Sequence, residues 1–233
     1  MEINSSSLKK TARIAGLLYL FLIITGVYCV IYVPSQITVR GDAFTTAKNI
    51  LAHEFLFRTS IISDLISNTI FVLLVLVLYR LFKQVNENQA KLMFALVIVQ
   101  IPFVVLMEAF NITSLMILKG EILKTFELSQ RQDLAMLFLK INDYGTLPLE
   151  MFWGLWLLPF GLLVYKSVFI PRVFGILLII AGIAYMIDST IALLFPGYSL
   201  FVKQPTLLFA AIGEISITLW FLIKGVRTQE ENI

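Results

Sequence analysis

Three observations predict an all-α integral membrane protein built as a six-transmembrane-helix bundle. Hydrophobic residues make up 59% of the 233 residues and charged residues only 14%, whereas soluble domains sit at roughly 45–50% apolar and about 25% charged. Mean hydropathy is +0.90. The apolar residues gather in runs at about 12–33, 58–82, 92–118, 144–165, 173–195 and 206–224, each near the ~20 residues a helix needs to cross hydrocarbon. Residues 1–233 are therefore read as one polytopic membrane domain whose first partner is the lipid bilayer.

The first run opens with a basic flank, LKKTAR, and could pass for a signal peptide. It is long enough to span and no small-residue cleavage site follows it, so it is expected to stay as the first helix. After it, DAFTTAKNILAHEFLF (42–57) places Phe44, Ala47, Ile50, Leu51 and Phe55 at helical spacing, an amphipathic segment suited to the interface. Pro102 in the third run should kink its helix and free a carbonyl. Ser129 and Gln132 have the spacing of a capping box. Leu134, Leu137, Phe138 and Ile141 then form a second short apolar stripe, expected as another interfacial helix. Gly154 and Gly161 in the fourth run, with Gly175 and Gly182 in the fifth, recur at heptad spacing. Small residues on one face let backbones approach closely, so these two helices should pack tightly.

An even number of spans puts both termini on one side. The termini and the tight loops 83–91 and 166–172 concentrate Lys and Arg beside helix ends, against a more dispersed set, Arg40 among them, on the other side. Positive residues favour the cytoplasmic side, so the expectation is N-in and C-in, with the short amphipathic helices outside. The formal charge of +3 gives no reason to expect nucleic acid. Cys29 is the single cysteine, which excludes an internal disulfide and cysteine-based metal centres.

Each run after the first carries an acid within it: Asp64, Glu108, Glu150, Asp188 and Glu214. Counted from the outer helix ends at about 1.5 Å per residue, all five fall roughly 9–15 Å below the outer boundary. Helical phase puts Ser60, Ser67 and Asn68 on the face of Asp64, Asn111 one turn beyond Glu108, Trp153 and Gly154 beside Glu150, and Tyr185 one turn before Asp188. No basic residue lies deep in a run as delimited above, which leaves Arg58 as the nearest countercharge; Glu54 stands four residues before it and could hold it along the helix. Five carboxyls in a low-dielectric layer cannot all ionise unaided. They must stay protonated and hydrogen-bonded, hold a cation, or pair with charges at the rim.

Several chemistries fail on residue counts. His53-Glu54 begins like a zinc-protease signature, but the second histidine position holds Phe57. One histidine in the whole chain rules out tris-His zinc and bis-His haem sites. No Gly-x-Ser-x-Gly elbow or P-loop occurs. Carboxylates and carbonyls are ligand types that suit Ca²⁺, Mg²⁺ or Mn²⁺, but the pattern assigns no particular metal, cofactor or oligomeric state.

The stretches GDA (41–43), AHEFLFR (52–58) followed by Asp64, YG (144–145), IPR (170–172), YMID (185–188), PGY (196–198) and IGE (212–214), closed by Trp220, Lys224 and Gly225, resemble a bacterial membrane-protein family catalogued as domain of unknown function 4386. The resemblance runs over nearly the whole chain. It implies a multi-span protein of the bacterial inner membrane, and it brings no activity, substrate or cofactor with it. In that family pattern the place of His53 is variable, while Glu54, Arg58, Asp64, Asp188 and Glu214 are motif-borne.

The leading expectation is a small transporter, or a protein binding a cation, proton or amphiphilic ligand, with an acid-lined cavity in the outer half of the membrane. Its candidate residues are Asp64, Glu108, Glu150, Asp188 and Glu214, supported by Glu54, Arg58, Asn68, Asn111 and Tyr185. The alternative is a structural or accessory membrane protein whose carboxyls are buried and neutral. A lipid-active enzyme is a third reading, disfavoured because no nucleophile–base pair is visible.

Overall fold

The computed structural model describes residues 5–39 and 41–227. These residues form helices α1 (Ser5–Val27), α2 (Val33–Ile37), α3 (Ala43–Ala52), α4 (Glu54–Phe82), α5 (Glu87–Ile98), α6 (Ile101–Lys119), α7 (Leu128–Lys166), α8 (Arg172–Leu194) and α9 (Ser199–Ile223), with a π-helical turn at Tyr28–Tyr32 joining α1 to α2. No strand occurs among the described residues. Six helical stretches there are long and apolar enough to cross a membrane: Ser7–Ile37, Glu54–Phe82, Glu87–Lys119, Leu128–Lys166, Arg172–Leu194 and Phe201–Ile223. Arg40, which entered the charge comparison above, lies outside the described residues.

Local chemistry accounts for the boundaries. Asp42 caps α3: its Oδ1 accepts from the Thr45 N–H at 2.9 Å and its Oδ2 from the Thr45 hydroxyl at 2.6 Å. α6 stops at Gly120, whose φ of 69° only glycine adopts freely. The N–H groups of Gly120 and Glu121 return to the carbonyls of Ile117 and Met116, closing the helix in a Schellman motif. The kink expected from Pro102 is a break at Val99–Gln100 between α5 and α6. Gln100 N–H turns to the Val97 carbonyl, and the Gln100 side chain takes over the Leu96 carbonyl at 2.9 Å. The polar side chain thus satisfies an acceptor that the break would otherwise strand.

Two expectations are corrected here. The apolar stripe after Ser129 is not a separate interfacial helix, because α7 runs unbroken from Leu128 to Lys166 through Pro148 and Pro159. The cap also forms earlier: the Gln130 side chain accepts from the Glu127 N–H, and Glu127 O takes the Arg131 N–H. That is the reciprocal half of a capping box, moved upstream of the Ser129–Gln132 spacing.

The helices gather into two compact units. One contains the described residues up to 21, with 70–100 and 147–227. Its centre is aromatic: Trp156 stacks on Phe160 at 5.4 Å, Phe71 meets Trp156 edge-on at 5.0 Å, and Phe82 meets Phe160 at 5.8 Å. Tyr19, Leu74, Leu78, Phe82, Leu157, Phe160 and Phe221 are fully buried. The glycines do what their spacing implied. A Cβ on Gly161 would stand 2.8 Å from the Gly175 carbonyl oxygen, and one on Gly182 would stand 2.8 Å from that of Gly154. α7 and α8 therefore touch backbone to backbone.

The other unit contains 22–69 and 101–146. Its core joins Val33 and Ile37 of α2, Ala47 and Ile50 of α3, Phe57 and Ile61 of α4, Leu115 and Leu118 of α6, and Ala135 of α7. Asn49 donates to the Ile37 carbonyl, Ser114 to the Ala135 carbonyl and Asn142 to the Met107 carbonyl. Of the stripe expected over 42–57, Ala47 and Ile50 of α3 are buried, while Phe44 and Leu51 of α3 and Phe55 of α4 remain exposed. α1, α4 and α7 each pass from one unit into the other.

Candidate functional site

The five intramembrane acids divide into two sets. In the unit holding the aromatic core, Glu150 of α7 and Asp188 of α8 meet Lys203 of α9. Lys203 Nζ donates to Glu150 Oε1 and lies 3.4 Å from Asp188 Oδ2. Both acids are buried, Glu150 at 3% exposure and Asp188 at 1%. The lysine side chain is 43% exposed. One ammonium serves two carboxyls, so Glu150 Oε2 and both Asp188 oxygens have no hydrogen-bond donor. Ser189, next to Asp188, ties α8 to α7 by donating to the Leu147 carbonyl at 2.7 Å. Thr206 ties α9 to α8 through the Ala184 carbonyl at 3.3 Å.

Glu214 belongs to the same unit but has different partners. Tyr19 of α1 donates to its Oε2 at 2.8 Å and Tyr185 of α8 to its Oε1 at 3.2 Å. Tyr185 also meets Trp153 edge-to-face, with centroids 6.0 Å apart. Trp153 lies one turn beyond Glu150, and Tyr185 one turn before Asp188. Tyr185 thus holds Glu214 through its hydroxyl while its ring meets that of Trp153.

In the second unit, Asp64 of α4 and Glu108 of α6 are electrostatic neighbours. Cys29 Sγ donates to Asp64 Oδ1 at 3.6 Å, and Asn111 Nδ2 donates to Glu108 Oε2 at 3.1 Å. Asn68 does not reach the Asp64 carboxyl; it donates to the Asp64 backbone carbonyl.

The expected countercharge is corrected. Arg58 does not reach any of the five acids: its Nε donates to Glu54 at 2.7 Å along the helix, where Lys119 joins at 3.1 Å. Lys203 is the cation at the buried acids. An apolar run starting at 206, after Pro205, leaves Lys203 outside the sixth span, whereas α9 begins at Ser199 and carries Pro205 near its start. Counting back from Glu214 by eleven residues, close to three full turns, puts Lys203 on the face of Glu214 and about 16 Å along the axis from it. That phase was present in the sequence. The signal for Tyr19 was weaker: Ala12, Ala15 and Tyr19 form a buried face of α1, visible only as two small residues at helical spacing before the phenol.

Among the described residues, no group of three or more His, Cys, Asp or Glu is gathered closely enough to hold a metal ion. The chemistry of the site is that of carboxyls, phenols and one amine: exchange of protons, and ion pairing with a cationic group.

The family model described as Domain of unknown function (DUF4386) matches residues 14–225. An uncharacterized protein of Archaeoglobus fulgidus is 34% identical over 93 residues, covering 40% of this chain and 51% of that protein. The chain thus spans about half the length of the curated relative it matches. No solved structure matches.

Proposed function

The chain belongs to the family whose model spans it, and from that premise we propose a cation-handling multi-pass membrane protein, a small transporter or cation-binding protein centred on Glu150, Asp188 and Lys203. The observation that carries this reading is the charge imbalance: two buried carboxyls face one ammonium and three of their four oxygens have no hydrogen-bond donor. If both ionise, a net negative charge remains in a low-dielectric site, where it is costly. A proton or a cation relieves it. Intramembrane ionisable residues of this kind mark ion and proton pathways.

We read the whole chain as one polytopic domain of the cell membrane, as the passage of α1, α4 and α7 through both units supports. With N-in and C-in, the Lys203 end of α9 faces outward, and α3, with Phe44 and Leu51 exposed, lies at the outer interface. Asp64 and Glu108 form a second carboxyl pair within that reading. The bacterial inner membrane is the location the motifs support.

The test is reconstitution in vesicles. Cation- or proton-coupled flux is expected in the wild type and should disappear in Asp188→Asn and Glu150→Gln with the fold retained. Flux unchanged by either substitution sinks the proposal. A second reading, a structural membrane protein with neutral buried carboxyls, is favoured by the way Tyr19 and Tyr185 occupy both Glu214 oxygens and tie α1 and α8 to α9, a helix-fastening role that needs no ligand. It expects no flux and no phenotype from Asp188→Asn.

A further inference from the structure

Resting on that cation-handling reading, we propose that the Glu150–Asp188 site takes a primary alkylammonium group, and that Lys203 is the tethered occupant such a ligand displaces. The side chain of lysine beyond its Cα is itself a butylammonium. The site therefore already holds the chemical group in question, on Glu150 Oε1 and beside Asp188 Oδ2. An ammonium has three N–H donors, and the carboxyls offer three oxygens without a donor: Glu150 Oε2 and both Asp188 oxygens. A free ligand can turn to use them in a way a side chain anchored on α9 does not. Asp188, at 1% exposure and with neither oxygen hydrogen-bonded, is the buried group that points to a ligand.

Two further features select an organic cation. Trp153 and Tyr185, one turn along α7 and α8 from the two acids, set an edge-to-face aromatic pair where an alkyl stem or a cation can lie against a ring. Ca²⁺ or Mg²⁺, in contrast, needs about six oxygen ligands, and no cluster of three or more His, Cys, Asp or Glu side chains occurs among the described residues. Displacement is feasible because Lys203 is 43% exposed. The rest of the chain does not enclose its side chain, which leaves it room to move off the carboxyls.

The test uses the full chain in detergent, titrated with n-butylammonium chloride against NaCl at matched ionic strength, with the thermal unfolding midpoint as readout. The wild type should show a saturable rise with n-butylammonium beyond that with NaCl. Lys203→Ala, which removes the competitor, should half-saturate at a concentration at least tenfold lower. Asp188→Asn and Glu150→Gln should lose the rise. Should Lys203→Ala fail to fold, the contrast between wild type and Asp188→Asn decides the matter alone.

A rise with NaCl equal to that with n-butylammonium overturns the alkylammonium proposal but leaves cation handling in place. A rise that survives Asp188→Asn, or a folded Lys203→Ala that binds no more tightly, also overturns it. No response to either salt, together with no cation- or proton-coupled flux in vesicles, overturns both readings at once.

Discussion

Tyr19, near the middle of α1, donates its hydroxyl to Glu214 of α9 at 2.8 Å across 195 residues of sequence. The bond pairs a fully buried phenol with a half-buried carboxyl, and it ties the first helix to the last. Leaving such an acceptor unsatisfied costs about 1–3 kcal/mol. Tyr19→Phe should therefore lower stability by that amount in denaturant unfolding in detergent micelles. Tyr185→Phe should cost less, because its bond is longer at 3.2 Å. Equal and negligible effects from both would show that Glu214 is not held by the phenols.

Lys203 offsets two buried carboxyls, so removing its charge alone is worse than removing all three. Lys203→Met should destabilise by about 2–3 kcal/mol, below the ~3–5 kcal/mol of a fully buried pair because the lysine is partly exposed. Adding Glu150→Gln and Asp188→Asn to it should recover most of the loss. The triple variant unfolding at or below the midpoint of Lys203→Met would contradict the ion-pair account.

The backbone contact between α7 and α8 makes Gly161 and Gly182 intolerant of a side chain. Alanine at either position meets a carbonyl oxygen that cannot move aside, and overpacking of this kind costs about 1–3 kcal/mol. Gly26→Ala and Gly197→Ala, where a Cβ meets nothing within 4 Å, are the controls. The measurement is the thermal midpoint of each purified variant, with the two pairs expected to separate.

The start of α3 should respond to pH through Asp42. The Thr45 hydroxyl and N–H hold its carboxyl below the ordinary carboxylate value. A group with a depressed folded pKa contributes fully above its unfolded value and loses that contribution as pH falls through the folded one. Amide exchange protection over 43–46, corrected for intrinsic rates, should decline across that acidic window. Asp42→Asn, which keeps the cap without titrating, should abolish the decline.

Much of the architecture was legible because the bilayer makes it so. Spanning lengths, the glycine faces of Gly154 and Gly161 against Gly175 and Gly182, the Pro102 break and the Asn111–Glu108 pair all follow from periodicity within one helix or between neighbouring ones. Errors arose where a local signal has two outcomes. Pro205 reads equally as a helix boundary or as a residue tolerated near a helix start, and choosing the boundary hid Lys203. Ser129 reads as a cap, yet the chain was already helical at Leu128.

The sequence by itself determined the all-helical, six-span character of this protein, because 20-residue apolar runs have few other ways to satisfy their backbone in lipid. It also identified the five acids, since a carboxyl within such a run is conspicuous. Only the tertiary structure decided how they are partnered: Asp64 with Glu108, Glu150 and Asp188 with Lys203, and Glu214 with Tyr19 and Tyr185. Depth along a helix follows from counting residues, but which side chains meet depends on the rotation and tilt of helices far apart in sequence, and no local pattern encodes that.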